Sequence, residues 1–164
     1  MLLKMKVFGL AIDPFTNAPI VILKDSDEKN ALPVWIGVLE ASAIASELEK
    51  IRFSRPMTHD LMREMLRAMN VSVKRIEVID LKDNVYYASI HIDVDGRLCV
   101  IDARPSDAIA LALRMESPIF VDTSVLDKSK TLDITREGGT GSAPKDLLEV
   151  LSNMTADEFG KYKM

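Results

Sequence analysis

Arginine followed by proline occurs twice in this chain, each time just ahead of a stretch with helical character: Arg55-Pro56-Met57-Thr58-His59-Asp60 and Asp102-Ala103-Arg104-Pro105-Ser106-Asp107. Proline restricts the residue before it to extended backbone, which holds each guanidinium outside the helix. The first-turn N–H groups behind it lack intrahelical acceptors and carry about half a positive charge through the helix dipole. A guanidinium beside free amides suits an anion, and phosphate is a natural guest. In that reading Arg55, Arg104, Thr58 and Ser106 bind substrate. The same residues also have a purely structural reading. Thr58 and Ser106 can serve as helix caps, Asp60 and Asp107 as first-turn acids, and Arg55 and Arg104 as partners of Asp107 and Asp60.

His59 lies in the first turn of the helix behind the first corner. A neutral imidazole there can accept a proton, which makes His59 a candidate general base or acid. The alternative is a side chain that simply bonds a nearby carbonyl. His91 falls on the polar side of a strand beside Asp93 and is expected to be solvated. Glu40, Asp60, Asp102 and Asp107 are oxygen donors of the kind magnesium or manganese prefers, with Glu40, Asp102 and Asp107 the metal candidates. No H-E-x-x-H or phosphate-loop spacing accompanies them. Met57, Met62, Met65 and Met69 are expected to fill core, with a dimer face as the alternative. Trp35 reads as a core anchor or a pocket wall, and Tyr86 or Tyr87 as a surface on which a base stacks.

These residues need a scaffold. Met5 to Ile12 is apolar on both sides and reads as a buried strand. Ile20 to Lys24 and Leu32 to Ile36 read as an antiparallel pair joined by a charged turn, with Pro33 indicating an edge or a bulge. Leu39, Ala43, Ile44, Leu48 and Ile51 recur at helical spacing. A second helix starts near Thr58, with Leu61, Met62, Met65, Leu66 and Met69 on its apolar stripe. Val71 to Leu81 and Val85 to Val94 are strand-like. Asp95-Gly96 then marks a hairpin into Arg97 to Asp102, because a type I′ turn needs positive φ at both central residues. The third helix, from Arg104-Pro105 to about Met115, is apolar nearly all round and is expected to be central. Ile119 to Val121 is a short strand. Hairpins outnumber βαβ alternation, so the expected class is α+β: one compact domain, residues 1–131, with a hairpin-rich mixed sheet packed by three main helices. Residues 132–164 are expected to form a linker and a C-terminal helical tail, with a flexible stretch at 136–142 and a short helix from Lys145 to Met154.

Composition narrows the partners. With Lys plus Arg at 21 and Asp plus Glu at 25 among 164 residues, the net charge is −4. This excludes a globally basic nucleic-acid binder, so any such contact must come from a local cationic cluster. A single cysteine, Cys99, excludes an intrachain disulfide and a cysteine-rich zinc site, and suits a reducing cytoplasm. No run approaches the roughly 18 apolar residues of a spanning helix. The expectation is a cytoplasmic protein without a membrane partner.

Three ordered segments carry a family resemblance: Leu32-Pro33-Val34-Trp35-Ile36-Gly37 with Glu40-Ala41, the corner Arg55 to Leu61, and Asp102 to Ala112. Together they resemble the bifunctional nuclease domain family. The resemblance implies a compact α+β domain, often a homodimer, that hydrolyses phosphodiester bonds of DNA and RNA with little sequence preference. Single strands are the expected substrate. With that chemistry Arg55 and Arg104 hold phosphate oxygens and His59 moves the proton. Asp60 and Asp107, with Asp102 and Glu40, hold Mg2+ or Mn2+ or orient the arginines. The competing expectation is a non-catalytic regulatory or binding module that recognises a phosphate-containing ligand or a protein partner through the same anion site.

Overall fold

The computed structural model describes residues 1–136 and 145–146. Its strands are β1 (Leu2–Ile12), β2 (Pro19–Asp25), β3 (Ala31–Trp35), β4 (Ser72–Lys82), β5 (Val85–Val94), β6 (Arg97–Ala103), β7 (Ile119–Asp122) and β8 (Lys145–Asp146). The helices are α1 (Val38–Leu48), α2 (Thr58–Ala68), α3 (Pro105–Met115) and α4 (Thr123–Arg136). The strands form one sheet in the order β3-β2-β1-β7-β4-β5-β6, with β8 added to β1. Pairing is antiparallel except between β4 and β7. The chain is thus the α+β domain that its hairpins imply.

Local rules account for most of this. Pro33 lacks a backbone donor and sits in β3, the edge strand beside β2. Asp95 and Gly96 both have positive φ, as the β5–β6 turn requires. β5 alternates as expected: Ala88, Ile90 and Ile92 enter the core on one side. α3 lies at the centre, with Ala108, Ile109, Ala110, Leu111 and Ala112 all buried. It packs on β4 and β5 and against α1 and α2. The sheet curls enough for the Tyr86 hydroxyl of β5 to donate to the Pro33 carbonyl of β3 at 3.1 Å, across four intervening strands.

Three elements differ from expectation. Residues 123–136 form α4, a fourth helix, where the sequence reading had none. The carboxylate of Asp122 accepts from Ser124 N–H at 2.9 Å, and Val125 and Leu126 are buried against the core. Lys145 and Asp146 pair with Ile12 and Ala11 as strand rather than opening a helix. The rest of that expected helix, and the flexible stretch beyond Arg136, lie outside the described residues. The methionines divide: Met62 packs on the core, but Met57, Met65 and Met69 are about half exposed, beside Leu61. α2 buries its other side, that of His59, Met62 and Leu66, so the positions four apart from 57 to 69 face outward.

His91 is the clearest correction. It is buried, with Nε2 3.2 Å from Ser89 Oγ and 3.3 Å from Glu77 Oε2, and Nδ1 unpartnered. Its register neighbours are Arg75 and Val100, and Arg75 pairs with Glu77. Strand alternation put His91 on the polar side correctly, but this polar side is covered.

Several carboxylates are held below their ordinary pKa by the fold. The Phe15 N–H and the Trp35 indole lower Asp13, the Asn30 side chain lowers Asp25, and Ser124 lowers Asp122. A lowered folded pKa stabilises the fold above the unfolded-chain value of about 3.9, and that contribution is lost as pH falls through the lowered value. Thermal midpoints from circular dichroism should stay level from neutral pH to about 5 and decline below about 4. A midpoint that rises on acidification in that range contradicts these assignments.

Candidate functional site

α3 opens directly from β6 through Ala103 and Arg104, and Pro105 is its first residue. The fixed φ of proline suits that position, and its missing N–H is no loss there. Arg104 is therefore the N-cap, in extended backbone with ψ 142°, and no side chain caps the helix. Met57 holds the same place before α2, where its N–H donates to Asp60 Oδ2 at 3.1 Å. Neither Ser106 nor Thr58 is a cap, in contrast to the structural reading of the sequence. Ser106 is buried one residue into α3, and Thr58 is exposed.

The two corners meet through His59 and Asp107. His59 Nε2 lies 3.0 Å from Asp107 Oδ1, across 48 residues of sequence. The other Asp107 oxygen, Oδ2, accepts from Arg104 Nε and Nη2, each at 2.8 Å. Arg104 Nη1 reaches Glu40 Oε1 on α1 at 2.8 Å. Four side chains from three helix heads thus form one charged chain, Glu40–Arg104–Asp107–His59. Its hydrogen bond to Asp107, and then that to Glu40, pushes the Arg104 guanidinium above its ordinary value, so it is a permanent cation.

A second chain lies beside it, and the sequence reading missed its centre. Arg114, in the last turn of α3, is only 5% exposed. Its Nε donates to Asp60 Oδ1 at 2.7 Å, Nη1 to the Ala110 carbonyl at 3.0 Å, and Nη2 to the Ala43 carbonyl at 3.0 Å. Burial pushes the Asp60 carboxyl up, but Arg114, the Met57 N–H and Arg63 together hold it below the usual carboxylate value. His59 and Asp60 are adjacent, yet they touch residues seven apart on α3, a span of about 10 Å. The head of α2 therefore lies along α3, tied at both ends. A charged side chain in a helix otherwise apolar nearly all round was the available signal for Arg114.

Other candidates are not gathered here. Arg55 lines a separate depression with Arg52, Phe53 and Arg63, whereas Arg104 lines a cleft of about 330 Å³ between α1, α3 and the β4–β5 turn. Trp35 and Tyr86 also line that cleft, and Trp35 Nε1 is anchored to Asp13 Oδ2 at 2.8 Å. Tyr87 instead points to the opposite side of β5, beneath Lys82. Asp102 stays exposed on β6. Among the described residues no three His, Cys, Asp or Glu side chains come together as a metal-binding group. Glu40 and Asp107 are bridged by a guanidinium, so Glu40, Asp102 and Asp107 do not form a ligand set.

The arrangement defines an α+β domain with an oriented imidazole and a fixed cation where helix heads converge. The family model for the bifunctional nuclease domain matches residues 21–133, which contain every member of both chains. The chain belongs to the bifunctional nuclease domain family. It is 34% identical over 162 residues to an uncharacterized protein of Mycobacterium tuberculosis, covering 95% of this chain and 97% of that protein. It is 28% identical over 118 residues to bifunctional nuclease 1 of Arabidopsis thaliana, and 26% over 109 residues to bifunctional nuclease 1 of Oryza sativa subsp. indica. Those matches cover 70% and 64% of this chain, but only 36% and 33% of the plant proteins.

Proposed function

We propose that this protein hydrolyses phosphodiester bonds in single-stranded DNA and RNA with little sequence preference, and that His59 moves the proton. The observation that carries this is the 3.0 Å contact between His59 Nε2 and Asp107, with Arg104 on the other carboxylate oxygen. In this reading Asp107 accepts from Nε2–H, which leaves the lone pair on Nδ1. That nitrogen has no partner among the described residues. It takes a proton from water as the water oxygen bonds to phosphorus. The P–O bond to the departing strand breaks, and the departing oxygen then takes the proton back from the imidazolium. Arg104 faces the negative charge that grows on the non-bridging oxygens. The plant relatives' names and the family membership support the same chemistry. Because such contacts go to backbone phosphate, they carry no sequence information.

The test is a cleavage assay on end-labelled single-stranded DNA and RNA, with Mg2+, Mn2+ or EDTA present. Wild type is expected to cut both. Asp107→Asn, purified identically, should cut slower by about 100-fold or more, because the imidazole loses its orienting acceptor. Equal rates for the two proteins refute the reading, and the EDTA arm reports whether a divalent ion takes part.

A further inference from the structure

The cleft beside the dyad is built from two helix heads. α1 begins at Val38 after Gly37, and α3 begins at Pro105; neither has a side-chain cap. Gly37 and Glu40 of one, and Arg104, Pro105 and Ser106 of the other, line the same space. Free N–H groups and the positive ends of two dipoles therefore converge there. Ser106 supplies an independent sign. It is only 6% exposed, lines this cleft, and its hydroxyl has no hydrogen-bond partner among the described residues. The residue is nearly enclosed while its oxygen stays open to the cleft, so this hydroxyl is left to bond whatever occupies that space.

The Glu40 carboxylate already occupies part of this space. It folds back over Gly37, so close that a Cβ there would collide with Oε2. Its other oxygen holds Arg104 Nη1. A carboxylate between an uncapped helix head and a guanidinium stands where phosphate oxygens bind in other proteins. Arg104 uses Nε and Nη2 for Asp107 and Nη1 for Glu40. Releasing Glu40 thus frees one donor without disturbing the link from Arg104 through Asp107 to His59.

We infer that this cleft seats a nucleotide phosphate on the heads of α1 and α3, with the base against Trp35 and Tyr86, and that the Glu40 carboxylate is an internal stand-in which the phosphate displaces from Arg104. The choice of a nucleotide rests on the phosphodiester reading of the adjacent dyad. The volume is at the small end of ligand sites, which suits one nucleotide unit and not a duplex.

The experiment is calorimetric titration of the full chain with adenosine 5′-monophosphate and, separately, inorganic phosphate, in EDTA. Wild type should bind both, the nucleotide more tightly because it also meets the aromatic wall. Glu40→Gln should bind both about tenfold more tightly, the scale of one charge-assisted contact. Glu49→Gln removes the same charge from an exposed site at the end of α1 and should match wild type. Ser106→Ala should bind more weakly. A thermal melt of each variant confirms that it is folded. The inference is overturned if Glu40→Gln binds no more tightly than Glu49→Gln, or more weakly than wild type. Absence of strand cleavage refutes the nuclease reading alone, since these affinities are measured without turnover.

Discussion

Replacing His59 by alanine should lower strand cleavage by about 10²–10⁴-fold, the range typical of a lost general base or acid. The loss should fall on kcat more than on KM, because the imidazole acts on a proton in flight while phosphate is held by other groups. Among the described residues His59 makes a single side-chain bond, to Asp107, so its removal leaves the tie between Arg114 and Asp60 intact and the fold in place. The decisive comparison is with Asp107→Asn and with the double variant. Asp107 acts on the proton only through His59 and otherwise holds Arg104, so the double variant should be far less impaired than the product of the two single losses. Such non-additivity marks residues that work as a unit. If the two losses multiply, Asp107 has a separate task and the dyad is wrongly drawn.

That dyad was half legible in the sequence. Proline after arginine fixes where a helix can begin, so both corners and both helix starts could be read within a residue or two. Which side chains then meet depends on how α2 lies along α3, and no spacing rule carries that. Arg55 and Arg104 look like twins in sequence. The loop before α2 carries Arg55 into a different depression, while Arg104 turns back onto Asp107 three residues away. His91 shows the matching limit in strands. Period-two alternation reports the side of the sheet, and on that side Glu77 and Ser89 close around the ring. Arg114 is the inverse case: its position near a helix C-terminus suggests an exposed partner for the dipole, yet the crossing helices bury it.

Arg114→Met should be the most destabilising single change in the molecule outside the apolar core, about 3–5 kcal/mol by denaturant titration. Methionine fills similar space, so the cost comes from charge and hydrogen bonding. Asp60 is left partly buried without its cation, and the Ala43 carbonyl loses a donor that joins α1 to α3. The pH dependence separates this from a packing defect. In the wild type the lowered Asp60 pKa stabilises the fold above about pH 4, and acid removes that contribution. Burial is already the largest single influence on that carboxyl, and without Arg114 only the Met57 N–H and Arg63 oppose it, so the pKa should rise. A raised folded pKa reverses the sign: stability is then gained as Asp60 takes up a proton and lost as pH climbs through the raised value. The gap between variant and wild type should therefore shrink on acidification from neutral pH toward about 4. Asp60→Asn added to Arg114→Met should recover part of the loss at neutral pH, because it removes the orphaned charge. A gap that is constant with pH, and unaltered by Asp60→Asn, means that Arg114 holds the helices by shape alone.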